Sequence, residues 1–172
     1  MTVSGNCIAY RDEEELLVLS DLSMERLAEV HPELSRRVQQ LAAMLSFDLL
    51  VTQGLRTWPQ QGALYAQGRT APGKIVTNAK PGYSMHNFGL AVDVAPCVDG
   101  QVDWSGKDAK WQEILAKAPS CGLAEGAAWR TFPDEPHLYL AECPANPDDN
   151  TRYLFTEGGL TAVWAELVKP QS

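Results

Sequence analysis

The chain has 172 residues, 45% of them apolar, and a formal net charge of −8, which is length enough for one domain with its own core. That charge excludes broad attraction to nucleic acid or an anionic membrane surface, and no apolar run approaches the ~20 residues that span a bilayer. Cys7, Cys97, Cys121 and Cys143 are widely spaced and form no Cys-x-x-Cys pair, which argues against a knuckle-type structural zinc.

Residues 1–20 read as an N-terminal arm closing on Leu16-Leu17-Val18-Leu19, and residues 21–172 as the domain proper. Arg11, Asp12, Glu13, Glu14 and Glu15 fall where a secretory signal would be apolar. The expectation is therefore a monomer made in the cytoplasm, with reduced and partly buried thiols. Ser23 can cap a short helix containing Leu27 and Val30. Pro32 suits the first turn of a second helix, with His31 before it as a structural cap. Leu34, Val38, Leu41 and Leu45 then form one helical stripe. Leu49–Thr52 reads as a strand, and Thr57-Trp58-Pro59-Gln60 as a capping box opening a helix that ends near Gly68. From Arg69 to Tyr83, Pro72, Gly73, Pro81 and Gly82 mark a long ordered loop, a kind of segment that is often functional.

Past Gly89, alternation of Leu90, Val92 and Val94 with Ala91, Asp93 and Ala95 predicts a strand with Asp93 on its small-residue face. Trp111, Leu115 and Ala118 mark a further amphipathic helix stopped by Pro119 and Gly122. His137 opens a strand through Leu140, and Glu157–Lys169 reads as a closing helix. Helices, strand, helix, hairpin, helix, strand and helix, in that order, predict an α+β fold. It is a single compact domain whose small, mainly antiparallel sheet is flanked by helices.

Two of the three histidines stand beside carboxylates at sharpened backbone. His86 and Asp93, seven residues apart on a hairpin with Gly89 as pivot, can converge. His137 follows Pro136, which stiffens the turn. His86, Asp93 and His137 make a two-histidine, one-carboxylate set that leaves a fourth zinc position open, and Asp134 can be the base that activates water there. Taken singly, each histidine is more readily a hydrogen-bonded structural pair with its aspartate than a metal ligand. Ser84, two residues before His86, points the same way in extended chain and can touch substrate. Arg56, between strand and capping box, can stabilise an oxyanion or clamp a carboxylate, or form a plain surface ion pair. Trp129 can line a groove or pack in the core.

Ser84-x-His86-x-x-Gly89-x-Ala91-x-Asp93 resembles the signature of the zinc D,D-peptidases. These include D-alanyl-D-alanine carboxypeptidases and dipeptidases and the L-alanyl-D-glutamate peptidases of phage endolysins. Asp134-x-Pro136-His137 is similar to the endolysin branch, as are Gly54-Leu55-Arg56-Thr57, the loop from Gly68 to Thr77, and Gly122-Leu123 ahead of Trp129. The likeness runs from about Ser23 to Leu140. It implies a compact α+β domain, Zn²⁺ on His86, Asp93 and His137, a catalytic base at Asp134, and assistance from Arg56. It also implies hydrolysis of the peptidoglycan stem peptide between L-alanine and D-glutamate, at the cell wall after phage- or lysis-mediated release. A D-alanyl-D-alanine carboxypeptidase is the alternative enzyme, and a non-catalytic zinc-containing binding module the alternative of another class. Ala124-Glu125-Gly126-Ala127-Ala128 departs from the tryptophan and paired glycines usual in that branch, at one groove wall.

Overall fold

A computed structural model describes residues 10–11, 17–98, 100–104 and 108–168. Within the expected arm, Tyr10–Arg11 (β1) pairs antiparallel with Leu17–Val18 (β2). Cys7 lies outside the described residues, whereas Cys121 and Cys143 are buried free thiols.

The first helix, Asp21–Ala28 (α1), starts earlier than a Ser23 cap requires. Ser20 is the N-cap and its Oγ accepts from Ser23 N at 3.3 Å. Ser23 is instead buried in the first turn, where its Oγ accepts from Val51 N at 3.1 Å and ties the helix to the sheet. A serine that serves a distant strand cannot be told from a cap in the sequence. Pro32–Met44 (α2) follows, capped by His31, whose Nδ1 accepts from Glu33 N at 3.0 Å. Its predicted stripe of Leu34, Val38 and Leu41 is fully buried. Asp48–Gln53 (β3) leads to Trp58–Ala66 (α3), where both halves of the Thr57/Gln60 capping box form.

The segment from 69 to 83 contains no helix or strand beyond a single bridge between Gln67 and Ala71. Ala91–Val98 (β4), Gln101–Val102 (β5), Ala109–Lys117 (α4), Leu123–Glu125 (β6), His137–Leu140 (β7) and Asp149–Leu167 (α5) complete the order. The five strands β3 to β7 form one sheet in the order β3-β4-β7-β6, with β5 also on β4, and every pairing is antiparallel. The α+β expectation holds.

Three details differ from the sequence reading. The hairpin lies at the far end of β4, with β5. His86 reaches the strand from a 3-10 turn, Met85–Phe88, because Gly89 at φ 64° ends that turn and redirects the chain. On α4 the buried face is Trp111 and Ile114, with Leu115 only half-buried, since the helix gives way to a 3-10 turn at Ala118. The closing helix starts at Asp149 and breaks at Gly158-Gly159, so the predicted start at Glu157 found only its second half.

Central β4 is covered on both faces: Ala91, Val92, Val94 and Ala95 are all fully buried. Asp93 is therefore exceptional, a partly exposed carboxylate in an otherwise buried stretch of strand. Among the described residues no helix is long and apolar enough to cross a membrane.

Candidate metal centre and substrate cleft

Asp93 and His137 are direct cross-strand partners on β4 and β7, so their side chains leave the same face of the sheet. His86 comes to them from the 3-10 turn. Leu90 N donates to Met85 O at 3.1 Å, and His31 N donates to Gly89 O at 2.8 Å, fixing both ends of that turn. Gly89 is at φ 64°, where a side chain is strained, and a Cβ there would lie a tight 3.2 Å from the Trp164 ring. Trp164 of α5 in turn donates its Nε1 to Phe88 O at 2.7 Å.

His86 Nδ1 donates to Gly54 O at 2.9 Å, which fixes the tautomer and leaves the Nε2 lone pair facing inward. That Nε2 lies 3.0 Å from Asp93 Oδ1 and 3.1 Å from His137 Nδ1, and the last two are 3.3 Å apart. With His86 neutral, two acceptors, an imidazole lone pair and a carboxylate oxygen, face each other without a proton to share. A cation resolves that arrangement. Ligand bonds of ~2.0–2.1 Å in a tetrahedron give edges of about 3.3 Å, so the donor set suits zinc. His86, Asp93 and His137 form the metal-compatible group found among the described residues.

Burial disfavours the Asp93 carboxylate, but the flanking His86 and His137 outweigh it and hold its pKa well below the ordinary carboxylate range. Asp134 goes the other way. Burial, reinforced by the negative charge of Asp93, pushes it up to about 6. Its backbone is locked, since Asp134 N donates to Gly126 O at 3.1 Å and Asp134 O accepts from His137 N at 3.2 Å. Gly126 permits this contact because a Cβ there would lie 2.7 Å from Asp134 O and 2.9 Å from His137 Cβ.

Arg56 is no surface ion pair. It is 9% exposed, and its Nη2 donates to Asp93 Oδ2 at 3.2 Å, the oxygen turned away from the histidines. Sequence reasoning missed the residues that hold it. Gln61 Oε1 accepts from Arg56 Nη1 at 2.9 Å while its Nε2 donates to Ala79 O. Asn87 Nδ2 donates to Arg56 O at 2.7 Å, and its Oδ1 accepts from Gly82 N. The signals available were a glutamine on the buried side of a capped helix and an asparagine inside the histidine motif, both weak without the partners.

These groups floor a cavity of about 620 Å³, into which His86, Asp93, His137, Asp134, Arg56, Ser84 and Trp129 all face. Every predicted site residue is therefore at one cleft. Ser84 arrives by a different route from the one expected, because it is extended while His86 lies in the 3-10 turn. Trp129 lies in the groove wall, its ring centroid 4.9 Å from that of His137, rather than in the core. The 69–83 loop supplies the opposite wall through Val76, Thr77, Asn78, Ala79 and Tyr83.

A family model described as phage L-alanyl-D-glutamate peptidase matches residues 16–135. The chain belongs to that family. It is 37% identical over 125 residues to the peptidoglycan L-alanyl-D-glutamate endopeptidase CwlK of Bacillus subtilis (strain 168), covering 66% of this chain and 74% of that protein. It is 30% identical over 117 residues to the L-alanyl-D-glutamate peptidase of Escherichia phage T5, covering 65% and 81% respectively. The crystal structure of the Serratia marcescens L-Ala D-Glu endopeptidase ChiX shares the fold, with a TM-score of 0.54 at 21% identity over 76% of this chain and 95% of that one.

Proposed function

We propose that this chain is a zinc-dependent peptidoglycan peptidase that cuts the stem peptide between L-alanine and D-glutamate, with residues 21–172 as its catalytic domain. The observation that carries the reading is the meeting of His86 Nε2, Asp93 Oδ1 and His137 Nδ1 within 3.3 Å, beside a carboxylate held near neutrality at Asp134. Family membership supports the choice of bond. Zinc on those three side chains supplies Lewis acidity and lowers the pKa of water to about 7.

The chain's own residues do the rest. The Asp134 carboxylate takes a proton from the attacking water and returns it to the departing D-glutamate nitrogen. Arg56 steadies Asp93 through Oδ2 and sets positive charge beside the oxygen that becomes anionic. Ser84 and Trp129 line the path of the peptide.

The test is digestion of purified peptidoglycan by zinc-loaded protein, with and without a chelator, followed by mass spectrometry. Fragments with a new amino-terminal D-glutamate are expected, lost on chelation and restored by zinc. Release of D-alanine alone would replace this reading with a carboxypeptidase. Absence of any chelator-sensitive product would make the chain a binding module.

A further inference from the structure

The cleft contains a charge that the fold leaves idle. Its described lining holds two guanidinium groups, Arg56 and Arg130. Arg56 is buried and committed to Asp93 and Gln61. Arg130 is exposed at the mouth, and no ion pair or hydrogen bond engages it among the described residues. The chain carries a net charge of −8, and Asp134 is in the same lining with Glu135 next to it, yet neither carboxylate pairs with Arg130.

The backbone segment carrying Arg130 is tethered. Trp129 N and Asp134 N both donate to the same carbonyl, Gly126 O, at 3.0 and 3.1 Å, closing the 129–134 loop at its base. Trp129 is packed on His137. Phe132, also in the cleft lining, has φ 59°, the left-handed region in a bulky residue, a conformation that costs of order 1–2 kcal/mol and persists only where surroundings impose it. Arg130 thus sits beside a residue that touches a ligand histidine, on a short tethered loop, with its guanidinium unengaged.

The proposed substrate has an anion to match. D-glutamate in the stem continues the chain through its γ-carboxyl, so its α-carboxyl remains free on the carbon that bears the scissile nitrogen. That carboxylate must be placed within a few ångströms of the reacting centre whenever the bond is positioned for attack. Arg56 already has its carboxylate. We infer that Arg130 receives the α-carboxylate of D-glutamate and makes the protein discriminate against stem peptides in which that group is an amide. The guanidinium fork suits a carboxylate bidentately, whereas an amide would direct N–H donors against N–H donors. This inference rests on the proposed cleavage site.

The test uses two muropeptides identical except for D-glutamate or its α-amide, with zinc-loaded wild type, Arg130→Ala and Arg130→Lys, measuring kcat and KM separately. Wild type is expected to favour the carboxylate form by about 10- to 100-fold in kcat/KM, the range set by charge-assisted polar recognition. In Arg130→Ala that ratio falls to within about threefold of unity, mainly through KM, and Arg130→Lys restores part of it. A wild type indifferent to amidation, or an Arg130→Ala variant that keeps the wild-type ratio, overturns the inference. Failure of the underlying reading is separately visible, because product masses from wild type report which bond is cut.

Discussion

Two aspartates share this site and are driven in opposite directions. Asp93 is held ionised by two imidazoles against the pull of burial, the state a metal ligand needs. Asp134, half-buried beside Asp93, has its pKa pushed up to about 6, which suits the proton-transfer role proposed for it. Asp134→Asn is expected to bind zinc normally yet lose activity by about 10²- to 10⁴-fold, the worth of a positioned general base. His86→Ala should lose metal and activity together. Metal content by elemental analysis, set against turnover, separates the two. In the proposed mechanism Asp134 acts only when ionised, so kcat/KM should fall as pH drops. A bound cation favours the carboxylate, which places the midpoint of that acid limb at or below about 6. A rate that stays level from pH 7 to pH 4 would remove Asp134 from the mechanism.

Among the elements, the turn from Gly126 to His137 does most for the chemistry. One peptide carbonyl, Gly126 O, receives both ends of the 129–134 loop, and the missing Cβ of Gly126 lets Asp134 and His137 close over it. In the stretch from Ala124 to Ala128 the feature that matters is the one glycine. Gly126→Ala must move backbone rather than a flexible side chain. It is expected to destabilise the zinc-loaded protein by about 1–3 kcal/mol and to cut kcat/KM more than tenfold. Urea denaturation and steady-state rates would show both. A variant equal to wild type in both would mean that the loop is not held by this contact. The 3-10 turn before β4 is the second such element, tied by Gly89 and by the Trp164 indole of α5, so the closing helix has a part in aiming His86.

For the molecule as a whole, the three metal-compatible residues join β4, β7 and the turn before β4, and Arg56 of the β3–α3 connection and Gln61 of α3 add to them through side-chain bonds. Metal bound there is bound by the fold, and linkage then adds to global stability. Zinc at 100 times its Kd should stabilise the protein by about 2.7 kcal/mol. Thermal unfolding in zinc and in chelator would measure the shift, and coincident melting curves would mean that the folded state does not hold the ion.

The helices were legible because their signals are local. The α2 stripe, the His31 and Thr57 caps and the Pro32 start each depend on residues within one or two turns. The metal-compatible motif was legible for a similar reason: His86 and Asp93 are seven residues apart, with the redirecting glycine between them. The second histidine is 51 residues from the first, and only strand pairing decides that Asp93 and His137 face each other across β4 and β7. The same holds for Arg56, which passes from an apparent surface charge to a buried partner of Asp93 because Gln61 and Asn87 close around it. Short spacings and periodicities thus set the elements and the donor types by themselves. Which charges are satisfied and which, like Arg130, are left for a ligand was decided by long-range packing, because burial and pairing are properties of neighbours that the chain brings together only when folded.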